Sequence, residues 1–249
     1  MKRSVQILTA LAIAGIATGL TFGITAPIDE FQGVFQKIMY VHVPSAWLAY
    51  LSFGVVLVAG IGYLMTKKQS WDRVAASSAE MGVFFTGTAL ITGMLWGRPV
   101  WGTFWDWGDA RLVLTALTFI IYLGYLALRR SVADPEMRAR RAAVLGIIAF
   151  VQIPLVHFSV TWWRTLHQPA TVLRPETFQG GGNSAIDPLM LRALMVNLAA
   201  FTLIYLAFMV TRIWIAQMAD AVEQREALEN LELAGAGITA PILEGGIDD

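Results

Sequence analysis

The strongest constraint on this 249-residue chain is a series of six long apolar runs separated by polar stretches. The runs cover residues 5–26, 42–65, 74–95, 112–128, 142–160 and 189–210. As a helix, a run of about 22 residues is roughly 33 Å long, enough to cross the hydrocarbon core of a bilayer. We therefore predict an all-α membrane protein built as a bundle of six transmembrane helices.

Composition agrees with a membrane location and excludes several functions. Hydrophobic residues make up 56% of the chain and charged residues 14%, and the mean hydropathy is +0.59. These values are typical of a multi-pass membrane protein. The net charge is zero, which gives no reason to expect a nucleic-acid partner. There is no cysteine, so disulfide exchange, a thiolate-bound metal and a thioether formed by this chain are excluded.

The distribution of basic residues predicts the orientation. Twelve of the 18 Lys and Arg residues lie on the same side of the membrane as the N-terminus. The positive-inside rule therefore places both termini in the cytoplasm. We predict a membrane domain over residues 1–211. Residues 212–249 are predicted to form a cytoplasmic helix that continues to about Leu233, followed by a disordered acidic tail.

An aromatic stretch at residues 96–112 stands out between the third and fourth runs. It holds four of the nine tryptophans within twelve residues, beside acids and arginines. Such a mixture is typical of a membrane–water interface, since an indole has an apolar ring and one polar N–H. An extended chain would place Trp101, Trp105 and Trp107 on one face, whereas a helix would place Trp101 beside Phe104 and Trp105. Both alternatives give a flat aromatic surface, and an ordinary aromatic belt is the simpler interpretation.

Histidines and arginines are predicted to share this outer face. They are His42, His167, Arg98, Arg111 and Arg164. Haem suits this combination, because the macrocycle stacks on indoles, the iron binds imidazole nitrogens and the propionates pair with guanidinium groups. Each signal alone is weak. Histidines near helix ends are often interfacial polar residues, and arginines on an outer loop often contact lipid headgroups.

Three motifs resemble one haem-handling family. The stretch from Trp101 to Leu112 resembles a tryptophan-rich "WWD" signature, W-G-x-x-W-x-W-D, although Gly108 separates Trp107 from the acid here. Tyr-Val-His42-Val-Pro and Trp-Trp-Arg-Thr-Leu-His167-Gln are similar to flanking motifs of the cytochrome c maturation protein C (CcmC) branch. The resemblance extends over all six runs.

The resemblance implies a function in the biogenesis of c-type cytochromes. The protein would be a non-enzymatic, multi-pass protein of the bacterial inner membrane. It would hold haem b at the periplasmic face and pass it to a periplasmic haem chaperone. Other implied partners are the ATPase and membrane subunits of an ABC transporter, a small single-span membrane subunit and membrane lipid.

The resemblance also implies the site residues. His42 and His167 would be the axial iron ligands and His157 structural, with a His42–His157 pair as the alternative. The full set of haem-binding candidates is His42, His167, Trp101, Gly102, Trp105, Trp107, Asp109 and Arg111. The family acid would match Asp109, with Asp106 as an alternative, and we expect it to accept an indole N–H or to pair with Arg111. Arg111, with Arg98 or Arg164, would contact a propionate.

Three rival functions are compatible with the sequence. A membrane-bound bis-histidine cytochrome would carry electrons, but usually needs more histidines, placed deeper in the bundle. A multi-pass transporter with an aromatic belt would bind no haem. A larger ligase branch of the same family usually has more membrane spans and more histidines.

Overall fold

The structure, a computed structural model, describes residues 3–167 and 186–235. This part of the chain is almost entirely helical. The seven α-helices are α1 (Arg3–Thr25), α2 (Met39–Thr66), α3 (Gln69–Trp101), α4 (Ala110–Ser131), α5 (Pro135–Ala149), α6 (Gln152–Trp162) and α7 (Pro188–Gly235). A short 3-10 helix, Val34–Ile38, leads directly into α2.

The predicted six spans are confirmed within the described residues. Six helical segments are long and apolar enough to cross a membrane, with α5 and α6 together forming the fifth. The break between α5 and α6 lies at residues 150–151, shortly before Pro154, which has no N–H to continue the helical ladder. Pro44 lies inside α2, five residues after Met39.

Close packing of the helices depends on small residues, which are frequent in the third apolar run. On α3, Gly82 faces Phe53 of α2, with no room for a Cβ, and Phe53 stacks on Tyr122 of α4 at 3.6 Å between ring centroids. A second contact fixes α1 on α7, where the Asn197 side-chain amide donates to the Gly19 carbonyl at 2.9 Å.

Ion pairs tie α3 to its neighbours at the end of the bundle opposite the tryptophan stretch. Arg129 of α4 makes a bidentate pair with Asp72 at 2.6 and 2.7 Å. Arg212 of α7 makes another with Glu80, with both distances 2.6 Å. Glu80 lies within the third apolar run, and the structure pairs it with an arginine of another helix. Neutralised in this way, a carboxylate inside a membrane span is far less costly.

The last helix continues well beyond the sixth apolar run. α7 is unbroken from Pro188 to Gly235, through the predicted boundary at 211/212. The helix predicted to continue to about Leu233 is therefore confirmed. The division into two domains stays a prediction, and the predicted disordered tail lies outside the described residues.

Candidate functional site

The tryptophan stretch is neither wholly extended nor wholly helical. α3 continues through Trp101 and ends at Gly102, whose φ of 79° lies in the left-handed region that favours glycine. Residues 102–109 then form an irregular connection to α4. Both geometries predicted from the sequence are wrong, because the helix end falls inside the motif rather than before or after it.

Asp109 joins this connection to the loop that follows α6. Its side chain caps α4 by accepting from the Leu112 amide at 3.0 Å. Its other oxygen accepts from the Thr165 hydroxyl and the Leu166 amide, both at 2.7 Å. The residue is only 2% exposed. One buried carboxylate therefore fixes two loops that are more than fifty residues apart in sequence.

The surroundings of Asp109 favour its ionised form. Burial would raise the pKa of this carboxyl group, but the nearby His167 ring and the three hydrogen bonds outweigh burial and hold the pKa well below its usual value. In the described residues its partners are neither an indole nor Arg111, so the expected indole or arginine contact is wrong. Asp106, the alternative acid, accepts only from the nearby Gly108 amide, at 2.8 Å.

His167 lies at the centre of this junction. Its Nδ1 is 3.6 Å from Asp109 Oδ2, and its ring packs edge-on against Trp101 with 4.8 Å between centroids. Its backbone amide donates to the Thr165 hydroxyl oxygen at 3.1 Å. The loop is thus held in place by Asp109, and the ring of His167 rests on the indole that ends α3.

His42 is held by α3 from the other side. It lies in the first turn of α2, and its Nδ1 is 3.1 Å from the hydroxyl oxygen of Thr92. That hydroxyl donates its single proton to the Thr88 carbonyl at 2.7 Å, so it faces His42 as an acceptor. This arrangement favours the tautomer with the imidazole proton on Nδ1, in which the Nε2 lone pair is available to bind a metal.

Two residues that the sequence did not single out shape this pocket. A Cβ on Gly93 would lie 2.9 Å from His42 Cε1, so only glycine leaves room for the ring. Trp96 packs edge-on against the same ring at 5.7 Å, and its indole N–H donates to the Gln32 side chain at 2.8 Å. The row of small residues in the third span was the available signal for such a close approach.

Arg111 is near His42 but has a structural contact of its own. Its guanidinium donates to the His157 carbonyl at 3.0 Å, which ties α4 to α6. Its Nε is buried without a partner in the described residues. His42, His167 and Arg111 are close enough to interact electrostatically. The structure therefore groups three of the residues predicted to form the site.

His157 lies in a different environment. Its ring packs edge-on against Tyr50 and Phe158, at 6.3 and 4.9 Å between centroids. Its carbonyl is engaged by Arg111, as described above. Phe158 is on α6 itself, so the contacts with Tyr50 and Arg111 are the ones that hold α6 against α2 and α4. The structural role of His157 stays a prediction.

The remaining indoles do not form one flat surface. Trp105 and Trp107 meet at 5.5 Å with 72° between their ring planes, and Trp107 is 81% exposed. The indole N–H of Trp105 is buried without a partner in the described residues. Arg98 is used locally, since it donates to the Gly102 carbonyl and lies over the Phe104 ring.

Comparison with known proteins identifies the family. The model of the family "Heme exporter protein C" (CcmC) matches residues 1–229. The chain belongs to this family. A heme exporter protein C of Bradyrhizobium diazoefficiens is 44% identical over 198 residues, which are 80% of this chain and 73% of the relative.

Relatives from other organisms carry related names. Heme exporter protein C of Escherichia coli K12 is 36% identical over 180 residues, covering 72% of this chain and 69% of the relative. A cytochrome c biosynthesis ccmC-like mitochondrial protein of Arabidopsis thaliana is 36% identical over 225 residues, covering 89% and 82%. The resemblance read from the three motifs is therefore confirmed at the level of the family.

The donor set of this CcmC family member fits a haem better than a bare metal ion. Within the described residues, no group of three or more His, Asp or Glu side chains could hold an ion by itself. A haem needs only axial ligands from the protein, since the macrocycle supplies the other four. The imidazoles of His42 and the nearby His167 would meet that requirement, and the unpartnered N–H groups of Trp105 and Arg111 are donors suited to haem propionates.

Proposed function

We propose that this chain binds haem b at the end of the bundle that carries the tryptophans and passes it to a periplasmic haem chaperone during c-type cytochrome biogenesis. The observation that carries the proposal is the pairing of two differently held histidines. His42 has its Nδ1 occupied and its Nε2 free, and His167 lies across α3 on a loop anchored by Asp109. The chain would act without catalysis, by binding and release.

We assign the iron ligation to His42 and His167. The helical turn of α2 and the contact with Thr92 hold His42 at a fixed height. His167 would close the opposite axial face, and Asp109 near its Nδ1 would orient the ring, as carboxylates do for many metal-bound histidines. His157 would stay a structural residue of α6.

The other site residues would bind the edges of the haem. Trp101, Trp105 and Trp107 would contact the macrocycle, and Gly102 would place Trp101 by ending α3. The unpartnered Nε of Arg111 makes it the propionate partner that we favour, with the exposed Arg164 on the neighbouring loop as a second. Arg98 is less suited, because it is already engaged with Gly102.

The cellular setting proposed here rests on family membership and on the distribution of basic residues. Both termini would be cytoplasmic, so that the tryptophan end of the bundle faces the periplasm of a bacterial inner membrane. The ATPase and membrane subunits of an ABC transporter and a small single-span subunit would be its membrane partners. Any ATP hydrolysis would belong to those partners.

The test of the ligands is the absorbance spectrum of the purified full chain after expression with haem supplied. His42→Ala and His167→Ala should lose haem or its six-coordinate spectrum, and both should recover when imidazole is added. His157→Ala is the matched control and should keep a six-coordinate spectrum. A normal spectrum for His167→Ala, with a defective one for His157→Ala, would overturn the assignment.

The rate at which the protein loses haem distinguishes a haem-transfer protein from an electron carrier. Mixed with an apo haem acceptor, the wild-type protein should lose its haem within the experiment, whereas a bis-histidine electron carrier would retain it. Replacing Trp101, Trp105 and Trp107 together with Ala should speed this loss, since stacking on each ring is worth roughly 1–3 kcal/mol by analogy with base stacking. Unchanged haem content in the triple variant would favour a simple aromatic belt.

A further inference from the structure

A groove between α4 and α5, at the end of the bundle far from the tryptophans, combines two arginines with an apolar wall. Its volume is about 560 Å³. The residues that line it are Leu128, Met137, Arg140, Arg141, Val144, Leu145 and Ile148. Chain connectivity places it opposite the proposed haem site, since α4 starts beside the tryptophan stretch and ends at this groove.

The polar and apolar parts of the groove are separated along α5. Val144 and Ile148 are one helical turn apart and form an exposed apolar strip beyond the arginines, whereas Met137 lies before them. Arg140 and Arg141 lie nearer the start of the helix. With a rise of 1.5 Å per residue, Ile148 lies roughly 10 Å further into the membrane than Arg141. This distance is similar to that between the phosphate group of a lipid and the upper part of its acyl chain.

The charges of the two arginines are not neutralised by the protein. In the part of the chain that the structure describes, neither Arg140 nor Arg141 forms an ion pair, and both are exposed. The acids at this end are used elsewhere or stay apart from them. Ion pairs join Asp72 to Arg129, Glu80 to Arg212 and Asp220 to Arg73, whereas Asp134 caps α5 and Glu136 makes no ion pair in the described residues. The groove therefore offers an anion two free guanidinium groups.

We propose that this groove binds one anionic phospholipid, with its phosphate on Arg140 and Arg141 and an acyl chain along Val144 and Ile148. Basic pockets between membrane helices bind anionic headgroups in this way, and a planar guanidinium suits a phosphate well. The apolar wall favours a lipid over a free phosphate, because a free phosphate has no apolar group to pack against it. This inference does not depend on haem binding.

The test is native mass spectrometry of the full chain in detergent, with phosphatidylglycerol or phosphatidylcholine added. The wild-type protein should retain phosphatidylglycerol in preference to phosphatidylcholine. Arg140→Gln with Arg141→Gln should weaken that binding about twenty-five-fold, at roughly fivefold per arginine. Lys67→Gln with Lys68→Gln removes the same charge at the same end but outside the groove, and should leave binding within about twofold of wild type.

A second variant tests the acyl wall without changing charge. Val144→Trp fills the groove and keeps an apolar surface, so it should also release phosphatidylglycerol. Competition with inorganic phosphate should not displace the lipid. Equal losses in the arginine and lysine variants, equal binding of phosphatidylcholine, full binding by Val144→Trp, or displacement by phosphate would each overturn the proposal.

Discussion

Asp109→Asn is the substitution that most directly probes the site. Asp109 accepts three hydrogen bonds, and two of them, from Thr165 and Leu166, hold the loop that bears His167. An asparagine has one acceptor oxygen. If that oxygen stays on the α4 cap, the side-chain NH2 group faces two donors, and the partly buried Leu166 N–H loses its partner.

The size of the effect follows from these contacts. A hydrogen bond to a charged group contributes about 1.5–3 kcal/mol, and an unsatisfied buried donor costs a similar amount. Relaxation of the loop would recover part of this free energy. We therefore expect the loop conformation that positions His167 to be destabilised by about 3 kcal/mol. If His167 is an iron ligand, haem affinity should fall roughly a hundredfold.

The assay is titration of haem into the purified apo protein, followed by its Soret absorbance. Asp106→Asn is the matched control, because it removes a carboxylate from the same connection but affects only the nearby Gly108 amide. It should bind haem within about twofold of wild type. Wild-type affinity in Asp109→Asn, or an equal loss in Asp106→Asn, would refute a role of Asp109 in positioning His167.

Three smaller predictions concern the pocket and its anchor. Gly93→Ala should displace the His42 ring and lower haem loading, as read from the Soret band. Gly124→Ala is the control, because a Cβ there meets open space, and it should load haem normally. Equal loading of the two variants would contradict this prediction. Thr92→Val should weaken haem binding about fivefold by removing the acceptor of Nδ1–H, and Thr92→Ser should restore it in the same titration. The pKa of Asp109 is lower in the folded protein than in the unfolded chain, where it is about 3.9. The stability that its ionised form contributes is therefore complete above the unfolded pKa and is lost only as pH falls through the folded pKa. Amide hydrogen exchange of the loop, corrected for intrinsic rates, should therefore show equal protection at pH 8 and pH 5.

The membrane spans could be predicted from sequence because a bilayer leaves few alternatives. A backbone in hydrocarbon must satisfy its own hydrogen bonds, so each long apolar run becomes a helix. The ends of the helices were harder to place. α3 continues past the apolar run to Trp101. The left-handed turn at Gly102 ends this helix, and the earlier drop in hydropathy does not.

The contacts within the site could not be predicted, because they join distant segments. Nothing in the sequence pairs Asp109 with Thr165, or His42 with Thr92. The cap was the one part with a local signal, since an aspartate directly before an apolar run is a common helix start. Recognising it would have indicated a carboxylate turned toward α4 rather than toward an indole or Arg111.

The two candidate ligands differ in how they are held, and this difference suits a protein that releases its haem. His42 lies within a continuous helix, so moving it would disturb α2 and its packing on Thr92 and Gly93. In the described part of its loop, the segment that carries His167 is held by the hydrogen bonds from Thr165 and Leu166 to Asp109, and these bonds lie outside the helices α6 and α7. Segments with few anchoring contacts open at low free-energy cost. Release would therefore begin at His167, and variants that weaken its anchor should raise the rate of haem transfer to an acceptor, whereas variants around His42 should chiefly reduce loading.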